Sequence, residues 1–226
     1  MRVIVSWSGG KDSCLALYRA VRAGHEPAAL LNFVSREYGR CCFHGTDAAL
    51  MRAQAGLLGI PLVQEEPSAD MQAYEEEFKA AVRHLKRELG AAGMVFGDIY
   101  LDEHRAWVER VCAELGIQPI EPLWGGRPAD IVGEFVRLGF KAVVTSCKAD
   151  ILGREFAGRM VDESFASELA RRDICPCGER GEFHTFVTSG PMFAGKIEIR
   201  KGVPIPGKGF WESWFLDIQE WEVAAK

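Results

Sequence analysis

No apolar stretch in the 226 residues approaches the roughly 18 that a membrane-spanning helix needs. Basic charge is in deficit: 27 Lys and Arg against 32 Asp and Glu leave a net charge of −5 and a pI near 5.6. A chain with that balance has no basic field with which to displace counterions, so general nucleic-acid binding is excluded. The N-terminus offers only the short apolar run Val3-Ile4-Val5, with no small-residue cleavage site after it, and does not read as an export signal. Cysteine is sparse and odd in number, seven in all, so reduced thiols in a cytoplasmic protein are expected rather than a disulfide framework. There is no Cys-x-x-Cys pair of the kind structural zinc takes. The nearest sets are Cys175 and Cys177 with His184, and Cys41 and Cys42 with His44. Internal repeats and low-complexity stretches are also missing. What remains is an ordinary globular composition, 48% apolar and 26% charged. The length suits one large domain or two small ones at a usual domain size of about 150 residues.

The first half alternates apolar runs with amphipathic ones. Val3 to Trp7 reads as a buried strand that runs into the turn Ser8-Gly9-Gly10. A helix from Ser13 follows, with Leu17 and Val21 inward and Gly24 as its stop. Ala29 to Val34 and Pro61 to Gln64 read as further strands, separated by a helix that Asp47 caps and Gly59 ends. Met71, Tyr74, Phe78, Val82, Leu85 and Leu89 recur at helical steps, with Glu75 and Lys79 as an i,i+4 pair on another face. Strands at Met94 to Ile99 and Gln118 to Pro122 flank a helix from Glu103 to Leu115 that buries Trp107 or Val108, Val111 and Leu115. Five such strands with intervening helices predict an α/β fold: a parallel five-stranded sheet with helices on both faces.

After Trp124 the texture changes. One helix-then-strand unit, Pro128 to Leu138 and Lys141 to Cys147, precedes a tail rich in Gly and Pro. There His184 to Thr188, Lys196 to Arg200 and Trp211 to Glu222 read as antiparallel strands. The expected organisation is a first domain over residues 1–124 and a smaller, mixed α+β C-terminal domain over residues 125–226. The aromatic tail, Phe210, Trp211, Trp214, Phe215 and Trp221, suits core packing or a subunit interface, the latter compatible with a homodimer.

Ser8-Gly9-Gly10-Lys11-Asp12-Ser13 lies between the first strand and the first helix, where loop amides and a helix N-terminus face an anion. Gly9 and Gly10 let the backbone approach phosphate, Ser8 and Ser13 can donate hydroxyls, and Lys11 brings positive charge. Asp12 would repel phosphate unless a cation stood between them, which implies Mg2+. The loop is not a Walker motif, because none of the Gly-Lys pairs is followed by Ser or Thr.

The hexapeptide is the signature of the PP-loop, or N-type, ATP pyrophosphatases. Further segments resemble diphthine–ammonia ligase and its relatives: Phe43-His44, Gly97-Asp98-Ile99 with His104-Arg105, Pro122-Leu123-Trp124, and Cys177-Gly178-Glu179-Arg180-Gly181-Glu182-Phe183-His184-Thr185-Phe186. The resemblance spans essentially the whole chain. It implies cleavage of ATP to AMP and pyrophosphate to join ammonia to a carboxylate, as in amidation of diphthine on translation elongation factor 2. It further implies that His44, Gly97, Asp98 and Arg105 serve the nucleotide, and that Glu179, Glu182 and His184 stand with Lys11 and Asp12 in the catalytic set. The chain departs from the family at His184, where the archaeal and eukaryotic enzymes tend to carry Glu, and so the acceptor is open. A tRNA-thiolase-like adenylating enzyme and a non-catalytic ATP-binding sensor are the competing readings. The first would require an RNA-binding module and a relay cysteine, and pyrophosphate release would exclude the second.

Overall fold

The computed structural model describes residues 1–35, 41, 45–68, 71–208 and 212–226. Five strands, β1 (Arg2–Ser6), β2 (Glu26–Phe33), β3 (Leu62–Glu65), β4 (Gly93–Val95) and β5 (Gln118–Ile120), form one parallel sheet in the order β3-β2-β1-β4-β5. The helices between them are α1 (Lys11–Arg22), α2 (Ala48–Leu58), α3 (Met71–Leu89) and α4 (Asp102–Leu115). Val3, Val5, Leu30 and Val95 pack toward α1 and α2, while Ile4, Leu31 and Met94 pack toward α3 and α4. Helices therefore cover both faces, as strands apolar on both sides require.

Local chemistry accounts for the element ends. The Asp47 carboxylate accepts the Ala49 amide at 2.7 Å to start α2, and Gly59 closes it in the left-handed conformation at φ 68°. The buried stripe of α1 steps through Cys14, Leu17 and Ala20, which leaves Val21, expected inside, 40% exposed in the last turn. On α3 the buried Lys79 ammonium meets Glu75 and Glu76, and it reaches Glu114 of α4 at 2.6 Å. Trp107 is partly buried and bonds Glu75 at 2.8 Å, while Val108 is fully buried. β4 stops earlier than its apolar run suggests, because Phe96 to Ile99 leave the sheet. At Gly97 the backbone crosses so close to the phosphate loop that a Cβ would lie 3.1 Å from Ser13 N.

The C-terminal part begins with α5 (Pro128–Arg137). It continues with β6 (Lys141–Lys148), α6 (Glu163–Arg171), β7 (Phe183–Ser189), β8 (Gly195–Lys208) and β9 (Glu212–Ala225). These strands form an antiparallel sheet in the order β7-β6-β9-β8. β8 runs on through Pro204 and Pro206, beyond Arg200, where the Gly- and Pro-rich stretch predicts a loop. A terminal strand tolerates proline, since the missing donor can face the open side. α6 carries an N-cap at Asp162, whose carboxylate accepts the Phe165 amide at 2.8 Å, and it buries Phe165 and Leu169. Trp214 and Trp221 pack against the core, whereas Phe210 and Trp211 lie outside the described residues.

One hydrophobic cluster runs from Val3 and Val5 through Leu15 and Leu17 to Phe135, Val144, Phe186 and Leu216. It joins the α1–α2 face of the first sheet to the second sheet. Buried Gln54 on α2 bridges the same boundary. Its amide donates to the carbonyls of Gly9 at 3.0 Å and Val187 at 2.7 Å, and its oxygen accepts the Trp7 indole N–H at 3.1 Å.

Because the core is shared, urea should unfold the chain in one transition, with far-ultraviolet circular dichroism and tryptophan fluorescence coincident. Gln54→Leu leaves the Trp7 indole without its acceptor and takes a donor from the carbonyls of Gly9 and Val187, the first of which keeps the Val187 amide. It is expected to lower stability by about 2 kcal/mol, read as a reduced midpoint at unchanged slope. Two separate transitions would show that the sheets unfold independently.

Candidate active site

The strand order reverses beside β1, so the crevice beyond the carboxyl ends of β1 and β4 is the switch point where open α/β sheets bind ligands. A cavity of 770 Å³ occupies that place. Its floor is the phosphate loop, through Ser8, Gly10, Lys11, Asp12 and Ser13. One wall is the end of β2, at Leu31, Asn32 and Phe33, with Tyr74 beside it. Gly97, Asp98 and His104 form a second wall, and Gly178, Glu179, Arg180, Phe183, His184 and Thr185 close the cavity from the C-terminal part.

The loop is held in shape from within. Ser8 Oγ accepts the Gly10 amide at 3.3 Å and lies 3.2 Å from Ser13 Oγ, and Ser13 Oγ donates to the Gly10 carbonyl at 3.0 Å. Gly10 is the N-cap of α1, which puts that helix terminus at the cavity floor. Gly9 adopts φ 72° and turns away from the cavity. Its carbonyl accepts the Val187 amide at 2.9 Å, and a Cβ would collide with Gln54 and Met51. The Lys11 ammonium, expected to face phosphate, instead donates to Asp12 Oδ2 at 2.8 Å and to the Cys177 carbonyl. Burial pulls its basicity down, but Asp12 and the other nearby acids outweigh that and leave it above its ordinary value. Burial also pushes the Asp12 carboxyl up, against the pull of Lys11, and Asp12 Oδ1 is buried without a hydrogen-bond partner among the described residues.

Three groups converge on the far wall. Asp98, His104 and Glu179 each bring one ligand atom, all within 4.8 Å of one another. His104 Nδ1 lies 3.1 Å from Asp98 Oδ1, a contact that raises the imidazole above its usual range. Glu179 Oε1 accepts the Ile99 amide at 2.8 Å. Burial, with Asp12 and Asp98 nearby, nevertheless raises the Glu179 carboxyl to about 7. His184 moves the other way. It is half-buried and lines the cavity, and burial, with Lys11 and Lys148 close by, pulls it to about 4.

Two expected site residues lie elsewhere. Arg105 points along α4 to Glu109 at 2.7 Å and stacks over Trp124 at 4.9 Å, so an i,i+4 partner and an aromatic face draw it away from the cavity. Glu182 is buried behind the wall, where its carboxylate accepts the Arg180 amide at 2.9 Å. His44, with Phe43 and Cys42, lies outside the described residues. Sequence reasoning missed Asn32 and Thr185. Asn32 is buried and donates to the Trp7 carbonyl at 2.9 Å, and Thr185 Oγ1 accepts the Lys11 amide at 3.0 Å. Neither stands in a contiguous pattern with the residue it serves.

Among the described residues no helix is long and apolar enough to cross a membrane. A solved structure from Methanocaldococcus jannaschii, described as a "predicted subunit of tRNA methyltransferase", is similar at TM-score 0.47 and 20% identity, over 84% of this chain and 97% of that one. A tRNA-specific 2-thiouridylase of Kineococcus radiotolerans matches at 41% identity over 76 residues, 31% of this chain and 21% of that protein. Diphthine–ammonia ligases match far more of the chain. The Danio rerio protein is 29% identical over 223 residues, 88% of this chain and 86% of its own length. The human protein is 28% identical over 221 residues, 88% of this chain and 83% of its own length. The family model of the diphthamide synthase N-terminal domain matches residues 1–119 and that of the C-terminal domain residues 127–222. With both halves of the cavity inside those two matches, the chain belongs to the diphthamide synthase family.

Proposed function

We propose that this chain activates a carboxylate with ATP, releasing pyrophosphate, and then joins it to ammonia. Family membership makes it an ATP-dependent amidating ligase. The observation that carries the finer reading is the single cavity in which a glycine-rich loop at a helix N-terminus faces Glu179 and His184 from the other sheet. Residues 1–124 would supply the nucleotide half and residues 125–226 the acceptor half. The free cysteines Cys14, Cys41, Cys112, Cys147, Cys175 and Cys177 suit a reducing, cytoplasmic setting.

A carboxylate resists ammonia because its oxygen is a poor leaving group. Attack of that oxygen on the α-phosphorus breaks the bond to the β-phosphate, forms an acyl-adenylate and expels pyrophosphate. Ammonia then attacks the acyl carbon and AMP leaves. Most of the enzyme's contribution is positioning and charge stabilisation. Ser8, Gly10 and Ser13 would hold the departing pyrophosphate at the start of α1. The end of β2, Leu31 to Phe33, which lines the cavity, would meet the base. Asp12 fits a magnesium ion, since its Oδ1 is buried with no hydrogen-bond partner among the described residues while Oδ2 is bound to Lys11. When bound, that ion would offset the negative charge of the phosphates. Asp98 and His104 would complete the wall beside the phosphates. Glu179, poised near 7, would accept a proton from ammonium to leave ammonia as the nucleophile.

The acceptor follows from the charge beside it. Diphthine carries a cationic trimethylammonio group, which a carboxylate attracts. The imidazole of His184, held neutral at pH 7, offers no such charge. We therefore propose a different carboxylate, with diphthine a poor acceptor. The thiouridylase match spans under a third of the chain, and it does not carry an alternative on its own.

Three outcomes test this reading. Asp12→Ala and Ser13→Ala should each reduce pyrophosphate release by about 100-fold or more while circular dichroism stays native, and ADP with phosphate as products would overturn the mechanism. At fixed ammonium concentration, amide formation should rise as pH passes through about 7 and then level off, because Glu179 must lose its own proton before it can take one from ammonium. In Glu179→Gln that inflexion should vanish and the rate should fall about 100-fold. His184→Glu should raise amide formation on purified diphthine-bearing elongation factor 2 above a low wild-type rate. Efficient conversion by the wild type, lost in the variant, would mean that the histidine belongs to the diphthamide reaction.

A further inference from the structure

Lys11 sits in the phosphate loop, but its side chain is only 4% exposed. Nζ donates to Asp12 Oδ2 at 2.8 Å and to the Cys177 carbonyl, 166 residues away in sequence, and it lies 5.0 Å from the Phe183 ring centroid. A lysine ammonium has three donors, and here two oxygens and an aromatic ring enclose it. The main chain of the same residue reaches the same segment, since the Lys11 amide donates to Thr185 Oγ1 at 3.0 Å.

The two contacts fall at the two ends of one excursion of the chain. Between Cys177 and Thr185 the backbone turns at Gly178, φ 66°, and Gly181, φ 74°, and there it presents Glu179 and His184 to the cavity. Lys11 thus holds the start of this loop through its side chain and the end through its backbone. In the middle, Glu179 is fixed separately by the Ile99 amide. Were the ammonium to swing to a phosphate, the buried Cys177 carbonyl would lose this donor and the loop its tie to the phosphate loop.

We propose that Lys11 is a positioning residue: its ammonium closes the Cys177–Thr185 loop onto the phosphate loop and so sets where Glu179 and His184 stand, instead of serving as a ligand to the phosphates. The loop geometry stands by itself, and only the kinetic consequence rests on the nucleotide reading above.

The first test is amide hydrogen exchange on the full-length, nucleotide-free chain. In Lys11→Met, residues 178–184 and Ile99 should exchange at least about tenfold faster than in the wild type, while the strands of the parallel sheet keep their protection. Unchanged exchange across that loop would overturn the proposal. Kinetics then separates holding the loop from binding phosphate. Lys11→Met should lower kcat for pyrophosphate release at least about tenfold, with KM for ATP within about threefold. Lys11→Arg should fail to restore it, because a planar guanidinium cannot replace a compact ammonium between a carboxylate and a carbonyl. A tenfold rise in KM with kcat kept, and full rescue by Arg, would show that Lys11 is a phosphate ligand. The wild type gives a readout that needs no variant. On saturation with magnesium pyrophosphate, the 15N resonance of the Lys11 ammonium should keep its shift and its slow exchange with water. A large displacement would overturn the proposal. A wild type that releases no pyrophosphate from ATP would defeat the functional reading, and the exchange experiment would still decide the role of Lys11.

Discussion

A buried ammonium needs oxygens around it, and the way Lys11 meets that demand organises the site. Its partners are the neighbouring Asp12 and a carbonyl from the other end of the chain. Around this contact the backbone of the phosphate loop bonds to β7 at Gly9 and Val187, and Gln54 adds two further links. The cavity is therefore a product of two sheets meeting, and neither sheet holds all its walls. A core continuous from Val5 to Phe186 keeps them in register, so the site comes into being as the chain folds.

Electrostatics inside the cavity reverses the ordinary order of titration. Glu179, crowded by burial and by Asp12 and Asp98, holds its proton up to about 7, whereas His184, beside Lys11 and Lys148, sheds its own above about 4. Between those limits the carboxylic acid and the imidazole are both neutral. The two shifts also oppose each other in stability. The raised carboxyl binds a proton that the unfolded chain has lost, so its contribution falls as pH rises from the ordinary carboxylate range through 7. The lowered imidazole refuses a proton that the unfolded chain accepts, so its contribution falls as pH drops through the ordinary histidine range toward 4. Neighbours that push two titratable groups apart in this way are a recurring device for assigning proton-transfer roles.

How much of this could be read from the sequence depends on the range of the interaction. Strands apolar on both faces and helices bounded by Asp47 and Gly59 are local patterns, and they gave the parallel sheet directly. The loop from Ser8 to Ser13 is contiguous, and so it too was legible. Gln54 and Asn32 were not, because a polar residue on a helix or a strand shows no sign of partners that the fold alone brings near; Val187 is 133 residues from Gln54. Arg105 and Glu182 carried the right chemistry in the right motifs, but each had a nearer partner, Glu109 and the Arg180 amide respectively. The helix from Glu163 to Arg171 also has a local signature, the Asp162 cap and the i,i+4 pair Phe165 and Leu169, yet it lies between Cys147 and His184, where the sequence reading assigns no element.

The two margins of the antiparallel sheet also bear on aggregation. An exposed strand edge is a template for another chain, and proteins that stay soluble blunt it. Here β7 is bordered by the phosphate loop, whose Gly9 carbonyl takes the Val187 amide, while β8 at the opposite margin carries Pro204 and Pro206. The segment that grips the nucleotide in our reading also shields one side of a sheet from unwanted pairing. A lesion that loosens that loop would therefore uncover a sticky margin as well as spoil the chemistry.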